Sequence, residues 1–448
     1  MNPRRGPATP VLPARRGGPA SAHSASALSV PSSGHAGNML AAYAAALTLV
    51  LLGIRFNIGQ GMTPGYLLAI FLLPLWLPAL HHFRGARLIL LTGALALISG
   101  IWLTALAAAD HEISLKNLTS DSVLVLGIMA GVGAVLWARQ LFPVQVVGLL
   151  FGVGLVASRL IDESRMGANP WKYAFSVPVA VIALALARYL QSRLAEILTL
   201  LALAAVSAVS DSRSFFTIIA LTGILLLWQY LPRSRRNAIY KTILSIGAAA
   251  VITYNAAEIL VVEGYLGEES QARSLEQIRT SGSLLVGGRP ELTASLALFQ
   301  ERPMGFGTGV LANPADVLVG KEGMAGINYD PNNGYVERYM FGEKIELHSV
   351  LADLWAYFGI PGLVAGLAIL VLLLRVLLTL VAHRNGSGLE LFLIVLTLWN
   401  LFFSPLYTSA PTLLLTLGLA LLRKPGRHEQ WDHSAVREPG GRTTWQGA

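Results

Sequence analysis

Apolar residues in this chain fall in long unbroken blocks rather than in the short alternation of half-buried surface elements. Blocks at 39–54, 65–80, 88–109, 123–137, 144–158 and 173–189 are followed by others at 194–209, 215–231, 243–262, 350–374, 389–403 and 411–422. About 20 consecutive apolar residues cross a bilayer core as a helix, and shorter blocks are accommodated by tilt, re-entrance or local thinning. The pattern changes once, at 263–347, which is polar and punctuated by glycine. It predicts an all-α polytopic membrane protein of about twelve transmembrane helices with one large, partly helical loop. The predicted divisions are a tail at 1–37, nine helices over 38–262, the loop at 263–347, three helices over 348–423 and a tail at 424–448.

Composition agrees: 54% of residues are hydrophobic and 13% charged, against about 25% charged in a soluble domain. The formal charge of +8 is spread over loops and tails, which argues against nucleic-acid binding, and the absence of cysteine excludes disulfides and thiolate ligands. Residues 1–37, rich in Pro, Ala, Ser, Gly and Arg, are predicted to be disordered. The first apolar block starts too far along for a secretory signal and reads as an uncleaved helix.

Charge then sorts the connections by side. One set carries Arg84 and Arg87, Arg139, Arg188 and Arg193, Arg233, Arg235, Arg236 and Lys241, Arg384, and finally Arg423, Lys424 and Arg427. The other set is mixed, with Asp110, Glu112, Lys116 and Asp121 in one connection and Arg159, Asp162, Glu163, Arg165 and Lys172 in another. Cytoplasmic loops carry the excess of Lys and Arg. Both termini are therefore expected in the cytoplasm, and the polar block outside it.

That assignment makes Arg213 an external arginine in a short turn, Ser210-Asp211-Ser212-Arg213-Ser214. It reads either as an interfacial anchor or partner of Asp211, or as an anion ligand pointing into the bundle. Inside the polar block, Gly287-Gly288-Arg289-Pro290-Glu291 opens a predicted helix, with Leu292, Leu296 and Phe299 along one face. A guanidinium beside unpaired helix N–H groups suits a phosphate, unless Glu291 claims it. Further on, Arg302-Pro303-Met304-Gly305-Phe306-Gly307-Thr308-Gly309 lacks the ending of a P-loop and reads as a tight turn packed against the helices. His348 closes the block and is either a proton acceptor or an ordinary interfacial polar group. Tyr329, Tyr335, Tyr339 and Phe341 are candidates for stacking on sugars or for plain packing.

The order of the external Ser-x-Ser-Arg turn, the helix-opening Gly288-Arg289, the Arg302-Pro-x-Gly-x-Gly turn and His348 with Gly359 and Gly362 resembles the O-antigen ligase and O-antigen polymerase family. Asn169-Pro170 looks like the family's asparagine at that place. The resemblance covers the region from the fifth to the tenth block. It implies a GT-C-like membrane glycosyltransferase of the bacterial inner membrane, acting without metal or other cofactor. Its implied partners are an undecaprenyl-diphosphate-linked glycan as donor and a glycan or lipid A-core-type acceptor. By position, the resemblance makes Arg213 and Arg289 ligands of the diphosphate, Arg302 either a further ligand or a structural member, and His348 the candidate catalytic base. Leu292 and Thr293 stand where many members carry Trp, and Ser349 where Asn often follows the histidine, so ligase and polymerase both stay open. The alternative is a transporter or flippase of anionic substrates, for which Glu258, a charge inside a predicted span, is the best sign.

Overall fold

The computed structural model describes residues 33–162, 167, 169–230, 238–265 and 267–424. Most of the 1–37 tail, Glu163, Arg165, the basic residues Arg233, Arg235 and Arg236, and residues 425–448 lie outside the described residues. The chain divides at Ala41/Ala42, within the first helix, and the packing and sites described below lie in the second unit, Ala42–Ala448.

The elements run α1 (Ser33–Gly53), α2 (Pro64–Phe71), α3 (Leu73–Trp76), α4 (Ala86–Ala107), α5 (Leu115–Leu141), α6 (Val144–Ile161), α7 (Ser176–Tyr189), α8 (Arg193–Val209), α9 (Arg213–Trp228) and α10 (Ala238–Val262). In the polar block come α11 (Glu268–Ser281), α12 (Leu284–Gly287), α13 (Glu291–Glu301) and α14 (Pro314–Ala325), and after it α15 (Val350–His383), α16 (Gly388–Phe403) and α17 (Leu406–Ala420). Among the described residues there is no strand, only isolated bridges such as Ile113 with Val310.

A helix falls on each of the twelve predicted blocks. Six are long and apolar enough to cross a membrane, or seven if the pair α2 and α3, bent by 61°, counts as one. Length and composition thus account for six or seven crossings rather than twelve. The difference lies in helices such as Arg213–Trp228, Gly388–Phe403 and Leu406–Ala420, which are apolar but shorter.

Helix α5 is central, with 78% of its most apolar stretch buried. Gly133 faces Trp76, and a Cβ there would lie 2.2 Å from the indole, so only glycine lets the bent pair lie against α5. Helix α10 is the opposite case, 17% buried, resting on α9 and α15. Outward-facing Leu91, Leu95, Ile98 and Trp102 of α4 are exposed, an apolar surface of the kind a bilayer covers.

The turn 302–309 is the rivet between the polar block and the bundle. Phe306 and Gly307 donate their N–H groups to Ala356 O, at 2.9 and 3.0 Å, and Trp355 Nε1 donates to Pro303 O at 2.9 Å. Gly307 has φ +116°, and a Cβ would sit 2.5 Å from the Thr104 nitrogen. Gly359 breaks α15 with φ +64°, where Met304 O approaches. The expected packing of this glycine-rich turn against the helices is what the structure has.

The expected apolar face of α13 is different. Leu296 is exposed, while Ala294, Ser295 and Leu298 are buried. The cause is α14, whose Gly320 and Gly323 pack against Ala294 and Ala297. Close backbone approach through small residues has overridden the larger leucine stripe.

Candidate functional site

The start of α9 is held by a network of hydrogen bonds and ion pairs. Asn169 Nδ2 donates to Ser210 O at 2.6 Å and Asn169 Oδ1 accepts from Lys172 N at 2.9 Å, tying the turn 210–213 to the segment leading into α7. Asp211, in a left-handed conformation at φ +47°, accepts from Lys172 Nζ at 3.1 Å and Arg273 Nη2 at 2.6 Å. Burial pushes the Asp211 carboxyl up, but the two cations outweigh it and hold the group below its ordinary value. Asp211 is therefore taken, and Arg213 is not its partner. The Arg213 guanidinium donates instead to the neutral hydroxyl of Ser274 on α11.

Arg289 lies between α12 and α13. Its suspected partner Glu291 is buried and accepts the Tyr335 hydroxyl on one oxygen, leaving the other without a hydrogen bond. Burial, and then the Glu291 charge, push the Tyr335 phenol above its ordinary value. The first N–H groups of α13 close on themselves, Leu292 N to Arg289 O at 3.2 Å and Thr293 N to Pro290 O at 3.1 Å. Anion binding at this end accordingly falls to the guanidinium rather than to helix N–H groups. Among the described residues Arg289 has no ion pair, and its guanidinium stands 6.0 Å from the centre of the Trp399 ring.

Arg213 and Arg289, far apart in sequence, line one cavity of ≈ 490 Å³. The starts of α7 and α9 and the ends of α10 and α16 meet there, roofed by α11 and α12 of the polar block. Phe215, Ile218, Val261 and Leu396 supply apolar wall, and Lys172, Gln277 and Asn400 add polar groups. Glu258 also lines it without an ion pair among the described residues. Two unpaired guanidiniums over an apolar floor can bind an anionic head carried on a hydrocarbon chain. Among the described residues no group of three or more His, Asp or Glu side chains could hold a metal ion.

The other two predicted residues lie elsewhere. Arg302 is not in the cavity lining; it pairs with Asp110 at 3.0 Å, donates Nε to Gly305 O at 3.2 Å and covers the Phe306 ring. His348 is outside the lining too, half-buried in a left-handed turn at φ +54°, with Nδ1 3.2 Å from Glu346 O and its ring 6.1 Å from that of Tyr335. Asp353 clamps this turn by accepting from Leu347 N at 2.8 Å and from Leu406 N at 2.7 Å. Of the aromatic candidates, Phe341 is buried against Gly320, while Tyr339 is exposed beside Tyr335.

Sequence reasoning placed neither Lys172, Tyr254, Trp399 nor Asn400 in a site, and weighed Glu258 only as a sign of transport. Tyr254, Ala257, Glu258 and Val261 recur at i, i+3, i+4 and i+7 along α10, a stripe that marks one helix face. That spacing was readable; which face of a nearly unburied helix it met was not. Comparison with protein-family models, with curated proteins and with solved structures finds no match for this chain.

Proposed function

We propose that this chain is a membrane glycosyltransferase that moves a glycan from an undecaprenyl-diphosphate carrier to an acceptor hydroxyl, in the manner of an O-antigen ligase or polymerase. The observation that carries the reading is the convergence of Arg213 and Arg289, neither paired with a carboxylate, on one cavity with apolar walls. A lipid diphosphate needs both halves of that description, cations for its head and hydrocarbon for its tail.

The chemistry follows from the donor. The acceptor oxygen attacks the anomeric carbon as the bond from that carbon to the phosphate oxygen breaks, and the electron pair leaves with the diphosphate. Fixed guanidiniums stabilise the charge that grows there without reorganising at the moment of reaction. The hydroxyl proton goes to Glu258, the carboxylate that shares the cavity with both arginines. His348, outside the lining, has the role of holding the adjoining turn. Attack opposite the leaving group gives inversion.

In this reading twelve helices cross the inner membrane of a bacterium, both termini are cytoplasmic and the polar block is extracytoplasmic, as the distribution of Lys and Arg supports. The transporter alternative is less well supported. Transporters bind substrate at broken helices near the bilayer midplane, whereas none of the broken segments, α2, α3 or α15 near Gly359, lines this cavity.

Transfer from a lipid-linked glycan by the reconstituted protein tests the proposal. Arg213→Ala and Arg289→Ala should each abolish transfer while leaving melting in detergent unchanged. Glu258→Gln should lower turnover by about 10²–10⁴-fold with donor binding retained, and His348→Ala should cost less. Wild-type protein that moves lipid-linked glycan across vesicles but never joins it to an acceptor would overturn the reading in favour of transport.

A further inference from the structure

A second cavity, ≈ 560 Å³, opens where the start of α4 meets the ends of α15 and α17. Arg84, Arg375 and His383 line it together with Leu88, Leu372 and Leu422, and no Asp or Glu does. Arg84 and Arg375 are exposed, and neither side chain has a hydrogen bond or ion pair among the described residues. His383 is partly committed, with Nδ1 2.8 Å from Thr379 O. The backbone on one side is held in place, since Arg84 N donates to Leu422 O at 2.9 Å and Lys424 N to His82 O at 2.8 Å.

Helix α10 fixes where this cavity lies. Thr242 near its start lines the second cavity, and Val261 near its end lines the first. Nineteen residues of α-helix separate them, about 28 Å at 1.5 Å each, close to the ~30 Å of a hydrocarbon core. The two cavities therefore stand at opposite faces of the layer that the apolar helices occupy.

We propose that the second cavity is a binding site for an anionic glycerophospholipid, its phosphate between Arg84 and Arg375 and the upper part of one acyl chain along the leucines. Charge decides the class. Two guanidiniums with no acidic neighbour in the lining attract a net negative head group and offer nothing to the cation of a zwitterionic one. The apolar walls decide the source, because a free phosphate would leave Leu88, Leu372 and Leu422 facing water. This site is independent of the glycan-transfer reading and would survive its failure.

Native mass spectrometry of the purified full chain in detergent, titrated with dioleoyl phosphatidylglycerol or dioleoyl phosphatidylcholine, tests it. Wild-type protein is expected to hold the anionic lipid about tenfold or more tightly than the zwitterionic one. The R84A/R375A pair should lose that preference, and R84K/R375K, which keeps both charges, should retain most of it. Leu372→Trp, which leaves the arginines and fills the cavity, should weaken both lipids and guards against a misfolded arginine variant. Equal binding of the two lipids by wild type, an unchanged preference in R84A/R375A, or displacement of the lipid by millimolar inorganic phosphate would each overturn the proposal.

Discussion

Arginine does three different jobs in this protein, and its immediate neighbours decide which. Arg139 donates to Gly418 O and Leu421 O, both at 2.8 Å, and caps the end of α17. Arg302 is spent on Asp110 and on the turn that follows it. Arg213 and Arg289 form no ion pair among the described residues, touching the Ser274 hydroxyl and the Trp399 ring respectively, and both line the first cavity. The Arg302 contact has a pH signature. Arg302, and then His111, hold the Asp110 carboxyl at about 2, against an ordinary 3.8. A depressed carboxyl contributes stability that is fully present above its unfolded value and is lost as pH falls through the folded one. Melting of wild type should thus decline between about pH 4 and pH 2, and Asp110→Asn should remove that part of the decline. Acid melting curves that superimpose would show that the pair does not stabilise the fold.

At the level of elements, position in the sequence and position in the fold part company in the polar block. Its glycine-rich turn was legible, because glycine at alternating positions forecasts positive φ and close backbone approach, and Gly305, Gly307 and Gly309 have φ of +86°, +116° and +75°. Gly307→Ala should therefore cost more than the about 1–3 kcal/mol of a strained backbone, since the new Cβ also meets the Thr104 nitrogen; thermal denaturation in detergent reads this directly. A melting temperature equal to wild type would mean that the rivet is slack. The orientation of α13 was not legible. Its leucines at 292 and 296 outweigh Ala294 and Ala297 on any hydropathy scale, but Gly320 and Gly323 of α14 are a partner that only the tertiary structure reveals. Likewise Glu258 lay in plain sight as a charge in an apolar block, and only the cavity says what it faces.

For the whole molecule, the apolar blocks predicted where helices form, while two blocks hold breaks that block length did not forecast, between α2 and α3 and at Gly359 in α15. Length and composition account for six or seven crossings, and the shorter helices would need tilt, re-entrance or local thinning to cross as well. The absence of cysteine makes sidedness easy to test. Glu343→Cys in the polar block should react with a membrane-impermeant maleimide in intact cells, and Gln140→Cys at the end of α5 only after lysis. The reverse pattern would invert the topology and put the cavity on the wrong face for an exported glycan. The central claim, that Arg213 and Arg289 together hold a lipid diphosphate, is tested most directly by equilibrium binding of undecaprenyl diphosphate to the purified protein. Arg213→Ala and Arg289→Ala should each weaken binding by about tenfold or more, while Arg302→Ala leaves it unchanged. Binding that survives both cavity substitutions, or that is lost with Arg302 alone, would contradict the account.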